Sequence, residues 1–209
     1  MIISNVPQNS PDWYALRIGL PTASCFDNLV TSTGNPSKAI DTYARTLAAE
    51  KFVSERVDLW AGNTASDRGH ALEEDAAAYY EFTRDVTLDP GGFITNDART
   101  MGCSPDRLVG SDGILEIKCL KAENHIKAME YVRIEKTCPP DYMPQTQGQL
   151  MICEREWLDL LFYHDVLPPV SIRLSPDRDI WEMLESQVAI LSARRDDLFA
   201  MLEAQKEAT

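Results

Sequence analysis

The side chains with most chemistry to offer lie in one stretch, CSPDRLVGSDGILEIKC, residues 103–119. On a strand, Glu116 and Lys118 stand two apart and leave the same face, while Ile117 turns the other way into the core. The GSDG segment predicts a hairpin turn that folds the preceding strand back and brings Asp106 beside Glu116 and Lys118. Three ionisable groups among apolar neighbours are costly unless something neutralises them. Mg²⁺ suits that task because it takes hard oxygen ligands and keeps several waters. Two carboxylates and a backbone carbonyl hold a metal that polarises a phosphodiester and lowers the pKa of bound water. The Lys118 ammonium then orients that water or stabilises developing charge. A half-exposed hairpin with Glu/Lys alternation is the plain alternative. ExK alone separates nothing, whereas PD followed across one hairpin by ExK, with an apolar residue between Glu and Lys, is more specific.

The elements that must position these residues can be read from spacing. Ser10-Pro11-Asp12 before WYALRIGL predicts a capped first helix. TASCFDNLV, after Pro21, predicts a second short helix, ended by Thr33-Gly34-Asn35-Pro36. Ile40, Tyr43, Leu47, Ala48 and Phe52 mark a helix from Ser37 to about Glu55. Thr64 to Phe82 is another, with Leu72, Ala76, Tyr79 and Tyr80 on its apolar side. GGFIT, MGCSPDRLV and GILEIKCL then read as short strands. A helix over about 123–135 follows, ended by Pro139-Pro140, and Tyr142 to Glu154 forms the next. Pro144 is best tolerated in a first turn, so that helix starts near Asp141. WLDLLFYHD and PVSIRL are two more strands, and the tail from Ser175 is a helix to about Ala204. Its stripe of Trp181, Leu184, Val188, Leu191, Leu198 and Leu202, interrupted by Arg195, reads as core packing rather than a coiled coil. Helices, a strand meander, then mixed elements predict an α/β or α+β layer fold. The expectation is one domain over residues 1–209, with 175–209 as its C-terminal helix.

The formal charge of −13 argues against nonspecific wrapping of nucleic acid. It does not exclude a nuclease, since bound metal ions become the local positive charge. Residues 54–90 hold nine acidic side chains against three basic ones, whereas 118–136 carry Lys118, Lys121, Lys127, Arg133 and Lys136 against three glutamates. Phosphate contact therefore belongs to the second stretch. The five cysteines are an odd number with no CxxC pair, which favours a reducing cytosol over a disulfide framework or a zinc site. Cys103 and Cys119 flank the candidate site but read as small core residues. The opening MIISNVPQNSPDW has no basic and apolar leader pattern, and no run is long and apolar enough to span a membrane.

Further blocks accompany the central motif: WYALRIGLPTAS (13–24), GHALE (69–73), CSPD (103–106), GILEIKC (113–119) and YMPQTQ (142–147). In this order and spacing, from near the N-terminus to about residue 165, the sequence resembles the phage lambda exonuclease or YqaJ-like viral recombinase family, a branch of the PD-(D/E)xK nucleases. The tail from about 175 matches only in being helical. The resemblance implies a restriction-endonuclease-like α/β fold, with a central mixed sheet flanked by helices. It implies Mg²⁺ (or Mn²⁺), as two ions per site, and hydrolysis of linear duplex DNA from the 5′ end. Single strand for recombination and free 5′-phosphomononucleotides would be the products. It further implies a homotrimeric ring around DNA, a phage-type single-strand annealing protein as partner, and the bacterial cytoplasm.

Carried over by motif, Asp106 and Glu116 resemble metal ligands with the Ile117 carbonyl, and Lys118 resembles the catalytic lysine. Glu73 is similar to the extra carboxylate of the metal site, against a solvated helix face shared with Glu74 and Asp75. Gln145 resembles the active-site glutamine, with Gln147 as second choice. Arg17, Ser24 and Ser104 resemble residues that hold DNA phosphate. Their plainer roles are an arginine snorkelling over Trp13, a serine bonded to its own helix and a turn residue before Pro105. His70 reads as a surface or packing residue rather than a general base. Arg107 stands where the family commonly has Gly, and Leu120 where Pro is frequent. The competing readings are another nuclease of the superfamily, endonucleolytic or single-strand-specific, and a noncatalytic DNA-end-binding scaffold.

Overall fold

The computed structural model describes residues 1–56 and 64–207, with backbone alone from 64 to 71. Strand β1 (Ile2–Ser4) leads into helix α1 (Pro11–Arg17), whose N-cap Ser10 accepts a hydrogen bond from the Trp13 amide, with Pro11 in the first turn. The expected second short helix is a 3₁₀ helix over Ala23–Asn28. Its core contribution is Ala23 and Phe26, which are buried one turn apart at the three-residue period of that helix. Helices α2 (Ile40–Val53) and α3 (Thr64–Arg84) follow, as their apolar spacing predicted.

Strand β6 (Gly113–Cys119) is the centre of the large sheet. It pairs antiparallel with β5 (Arg107–Val109) and parallel with β7 (Trp157–Tyr163). Strands β2 (Leu88–Pro90) and β8 (Val170–Leu174) complete the order β2-β5-β6-β7-β8, a mixed five-stranded sheet. A second sheet runs β1-β3-β4, with β3 at Phe93–Thr95 and β4 at Gly102–Cys103. The expected single strand MGCSPDRLV is thus divided: residues 102–103 belong to the small sheet and 107–109 to the large one. Pro105 supplies the physical reason, because it has no amide to donate and constrains the residue before it. Asp106 falls on the lip between the sheets. The expected helix at 123–135 is α4 (Ala122–Met129) running into a π-helical turn over Glu130–Glu135.

Leu115 and Ile117 turn to one face of the sheet, against Ala76, Ala77 and Tyr80 of α3. Ile114 turns to the other face and joins the main core, to which α5 (Met143–Cys153) and α6 (Arg178–Glu207) contribute. Pro140–Tyr142 forms a short 3₁₀ turn ahead of α5, and Pro144 stands in the first turn as expected. Gly148 lets α5 approach the 3₁₀ segment, since a Cβ there would overlap the ring of Phe26. In α6, Leu184, Val188 and Leu191 are buried, so the stripe serves the core, while Arg195 donates to the Gly19 carbonyl.

Candidate active site

On β6 the side chains of Glu116 and Lys118 leave the face opposite Leu115 and Ile117, toward α5. The Lys118 ammonium donates to Glu116 Oε1 at 2.7 Å. Gln145 Nε2 reaches the same oxygen at 2.6 Å, and Gln149 Nε2 reaches Oε2 at 2.7 Å. Glu116, only 3% exposed, is therefore a buried carboxylate held by one cation and two amides. Gln145 and Gln149 are four apart on α5 and so share one face of it. Gln149 was not anticipated, although its i+4 relation to Gln145 is a signal the sequence carries. Gln147 faces away and is structural: its amide donates to the Ser175 carbonyl and accepts from the Asp177 amide and Trp181.

Asp106 arrives from the lip. Its Oδ2 accepts from the Ile117 amide at 2.6 Å, at a point where β5 no longer pairs with β6. In a strand the N–H and C=O of one residue leave the same edge, so the Ile117 carbonyl points to Asp106's side of β6. The Pro105 carbonyl accepts from Gln8, and the backbone of Gly91 lies so close that a Cβ there would overlap that carbonyl. Enclosure away from water, then the neighbouring Glu116 charge, hold the Asp106 carboxyl well above the usual carboxylate range. Burial disfavours the Lys118 ammonium, but Glu116 and Asp106 outweigh it and raise its pKa. The lysine remains a cation in a carboxylate pair.

Glu73 and Glu74 belong to α3. Their partner is Arg107, whose guanidinium donates to Glu73 Oε1 at 3.1 Å and Glu74 Oε1 at 2.6 Å. The residue that departs from the family's Gly thus engages the carboxylate expected to complete a metal site. Among the described residues, no group of three His, Cys, Asp or Glu side chains is gathered in metal-holding geometry. The oxygens that converge at the site are those of Asp106, Glu116 and the Ile117 carbonyl. Those hard donors fit Mg²⁺. The buried Gln149 Oε1 has no protein partner, which suits a site that takes in a hydrated ion. The side chain of His70 lies outside the described residues.

Arg17 does not snorkel: it is 7% exposed, with its guanidinium 4.2 Å from the centre of the Trp13 ring. Its nitrogens reach Thr22 Oγ1 at 3.2 Å, Ser24 Oγ at 3.3 Å and Ser104 Oγ at 3.5 Å, and Nε has no partner. Ser104 also accepts from Trp13 Nε1 at 2.7 Å. Burial, then the nearby Arg56, lower the pKa of Arg17. Sequence thus foresaw Arg17, Ser24 and Ser104 coming together, and missed Thr22. A buried guanidinium facing three hydroxyls, with no carboxylate bonded to it among the described residues, has the donor chemistry an anion would require. Cys103, Cys138 and Cys153 are buried core residues and Cys25 and Cys119 are half-buried, and no disulfide joins any of the five. Burial pushes the Cys138 thiol up to about 12.

A mixed sheet with an Asp at its lip and a Glu and Lys on its central strand, between helices, defines a restriction-endonuclease-like domain. The YqaJ-like viral recombinase domain family matches residues 12–156, and the chain belongs to that family. It is similar to the crystal structure of an alkaline exonuclease (LHK-Exo) from Laribacter hongkongensis, at 26% identity and a TM-score of 0.84, covering 95% of this chain and 99% of that one. LHK-Exo in complex with dAMP is matched at 25% identity, TM-score 0.83 and the same coverage. A phage related exonuclease from Haemophilus somnus 129PT, at 16% identity and a TM-score of 0.70 over 88% of this chain and 96% of that one, shares the fold. No curated protein matches.

Proposed function

We propose that this protein is a Mg²⁺-dependent DNA exonuclease that degrades one strand of a linear duplex from its 5′ end and releases 5′-phosphomononucleotides. The observation that carries this reading is the buried Glu116 held by Lys118, Gln145 and Gln149 with Asp106 beside it. A buried carboxylate with a second carboxylate and a lysine against it is expensive to maintain, and a scaffold that only gripped DNA would have no need of them. Membership of the YqaJ-like viral recombinase family and likeness to alkaline exonucleases support it further.

In this reading Asp106, Glu116 and the Ile117 carbonyl would hold Mg²⁺, with Mn²⁺ as substitute, and Glu73, here bonded to Arg107, would be the further carboxylate for a second ion. The metal supplies Lewis-acid polarisation of the phosphodiester and a water of lowered pKa. Lys118, as a cation, stabilises charge developing on the phosphate oxygens and orients the attacking water from Nζ. Gln145 and Gln149 fix the Glu116 carboxylate, so that its orientation does not change as charge moves. Arg17, with Thr22, Ser24 and Ser104, binds a DNA phosphate near the scissile end and sets register. The assembly proposed is a homotrimeric ring, the partner a phage-type single-strand annealing protein, and the setting the bacterial cytoplasm. No helix among the described residues is long and apolar enough to cross a membrane.

The test uses a linear duplex labelled at either end, in Mg²⁺ and in EDTA, beside Asp106→Ala. The expected result is metal-dependent loss of the 5′ label as mononucleotides, abolished in the variant. Cutting of closed circles would move the protein to the endonuclease reading. Binding without cleavage under any divalent metal would leave only a scaffold.

A further inference from the structure

A cavity of about 450 Å³ opens between the end of α3, the π-helical turn at 130–135 and the start of β8. It lies on the α3 face of the sheet, away from Glu116, and Tyr79, Thr83, Arg84, Arg133, Lys136 and Ser171 are among its walls. Among the described residues three cations line it and no carboxylate does, in a chain whose formal charge is −13. Arg84 donates to Ser171 Oγ at 3.3 Å, which fixes one guanidinium at the wall. Arg133 and Lys136 form no ion pair among the described residues, although Glu130 and Glu135 share their segment. The π turn that presents Arg133 is the kind of helix irregularity that recurs at functional sites.

From this we propose that the cavity binds a phosphate group of single-stranded DNA, at a site separate from the cleavage centre. The inference rests on the DNA-processing reading above. Size decides between strand and duplex: the volume falls in the range that encloses one ligand-sized group, so a nucleotide enters and a double helix does not. The side chains agree, because cations beside the exposed Tyr79 offer both a phosphate contact and a stacking surface.

The test is fluorescence anisotropy of a labelled single-stranded oligonucleotide in EDTA, where no strand is cut. Wild type is compared with the pair Arg133→Glu and Lys136→Glu, with Arg133→Lys and Lys136→Arg, and with Lys38→Glu and Arg99→Glu as a charge control. Expected is an affinity loss of about ten-fold for the first pair alone, with a salt dependence shallower by about 0.7 in log–log slope per lost phosphate contact. The charge-preserving pair stays within about two-fold of wild type, as does the control. Equal weakening in the control pair would mean general charge repulsion and overturn the site, as would unchanged affinity or no binding by wild type. Inorganic phosphate, followed by calorimetry, separates the sources: its loss in the first pair with oligonucleotide affinity intact would assign the cavity to free phosphate and overturn the strand proposal. Because Asp106 and Glu116 are untouched and no metal is present, failure here is distinct from failure of the nuclease reading, which the end-labelled duplex decides.

Discussion

At the scale of single residues, Glu116 accepts three donors and so depends on each of them for both its burial and its direction. Gln149 is the most informative to change, because it touches Glu116 Oε2 and keeps its own carbonyl oxygen unpartnered. Gln149→Leu is expected to lower turnover by about 10–100-fold, the range for groups that orient a metal ligand. Loss of a hydrogen bond to a buried charge also costs about 1.5–3 kcal/mol of stability, read as a lower urea midpoint. Full activity in a folded Gln149→Leu protein would reduce that residue to packing. Arg107 offers a second test, since its charge neutralises Glu73 and Glu74 beside the oxygen donors. In Arg107→Ala a like charge near the cation leaves and the Arg107 hold on Glu73 is lost, so the Mg²⁺ concentration for half-maximal cleavage falls. A higher requirement would mean that Arg107 assists the metal instead of competing with it.

Elements deliver these residues, and the junctions between elements are where sequence reading ran out. Glu116, Lys118 and the direction of Ile117 were legible because period two on one strand fixes them. The nearness of Asp106 was legible through the hairpin turn, but its place on the lip between two sheets was not. That place depends on Pro105 and on β1, a three-residue strand at the N-terminus that pairs with β3 and has too few residues for a periodic signal. The 3₁₀ form of Ala23–Asn28 was hidden likewise, because its compactness follows from packing against Gly148. Arg107's grip on two glutamates of α3 is a contact across 33 and 34 residues, which no local pattern contains. Two glycines turn these junctions into an experiment. Gly91→Ala sets a Cβ against the Pro105 carbonyl, and Gly148→Ala sets one against the Phe26 ring. Both are expected to destabilise by about 1–3 kcal/mol, as over-packing does. They differ in activity at a temperature where both remain folded: Gly91→Ala moves the backbone that carries Asp106 and loses turnover, while at Gly148 a side chain can yield and turnover is better preserved. Equal turnover in the two would separate the lip from catalysis.

For the whole molecule, the question is how a chain of formal charge −13 stays on a polyanion. Exposed surface charge of that sign repels DNA at long range, and in the proposed reading phosphate contact is confined to a few cations such as Arg17. Those contacts can position an end, but a few of them do not hold an enzyme on DNA through many cycles. A closed ring would, because encirclement is topological and does not weaken as salt screens charge. The proposed trimer therefore predicts two different salt responses. Starting on a duplex end falls steeply as salt rises from about 50 to about 200 mM, since it requires phosphate contacts. The length digested by molecules already engaged, measured by raising salt after initiation, stays nearly constant. Light scattering should then give three times the 23.5 kDa of one chain. Run length shortening in step with initiation, or a single-chain mass, would mean that the chain holds DNA by contacts alone. A patch far from the cleavage centre, with the cavity of Arg133 and Lys136 first among the candidates, would then have to supply the grip that encirclement otherwise provides.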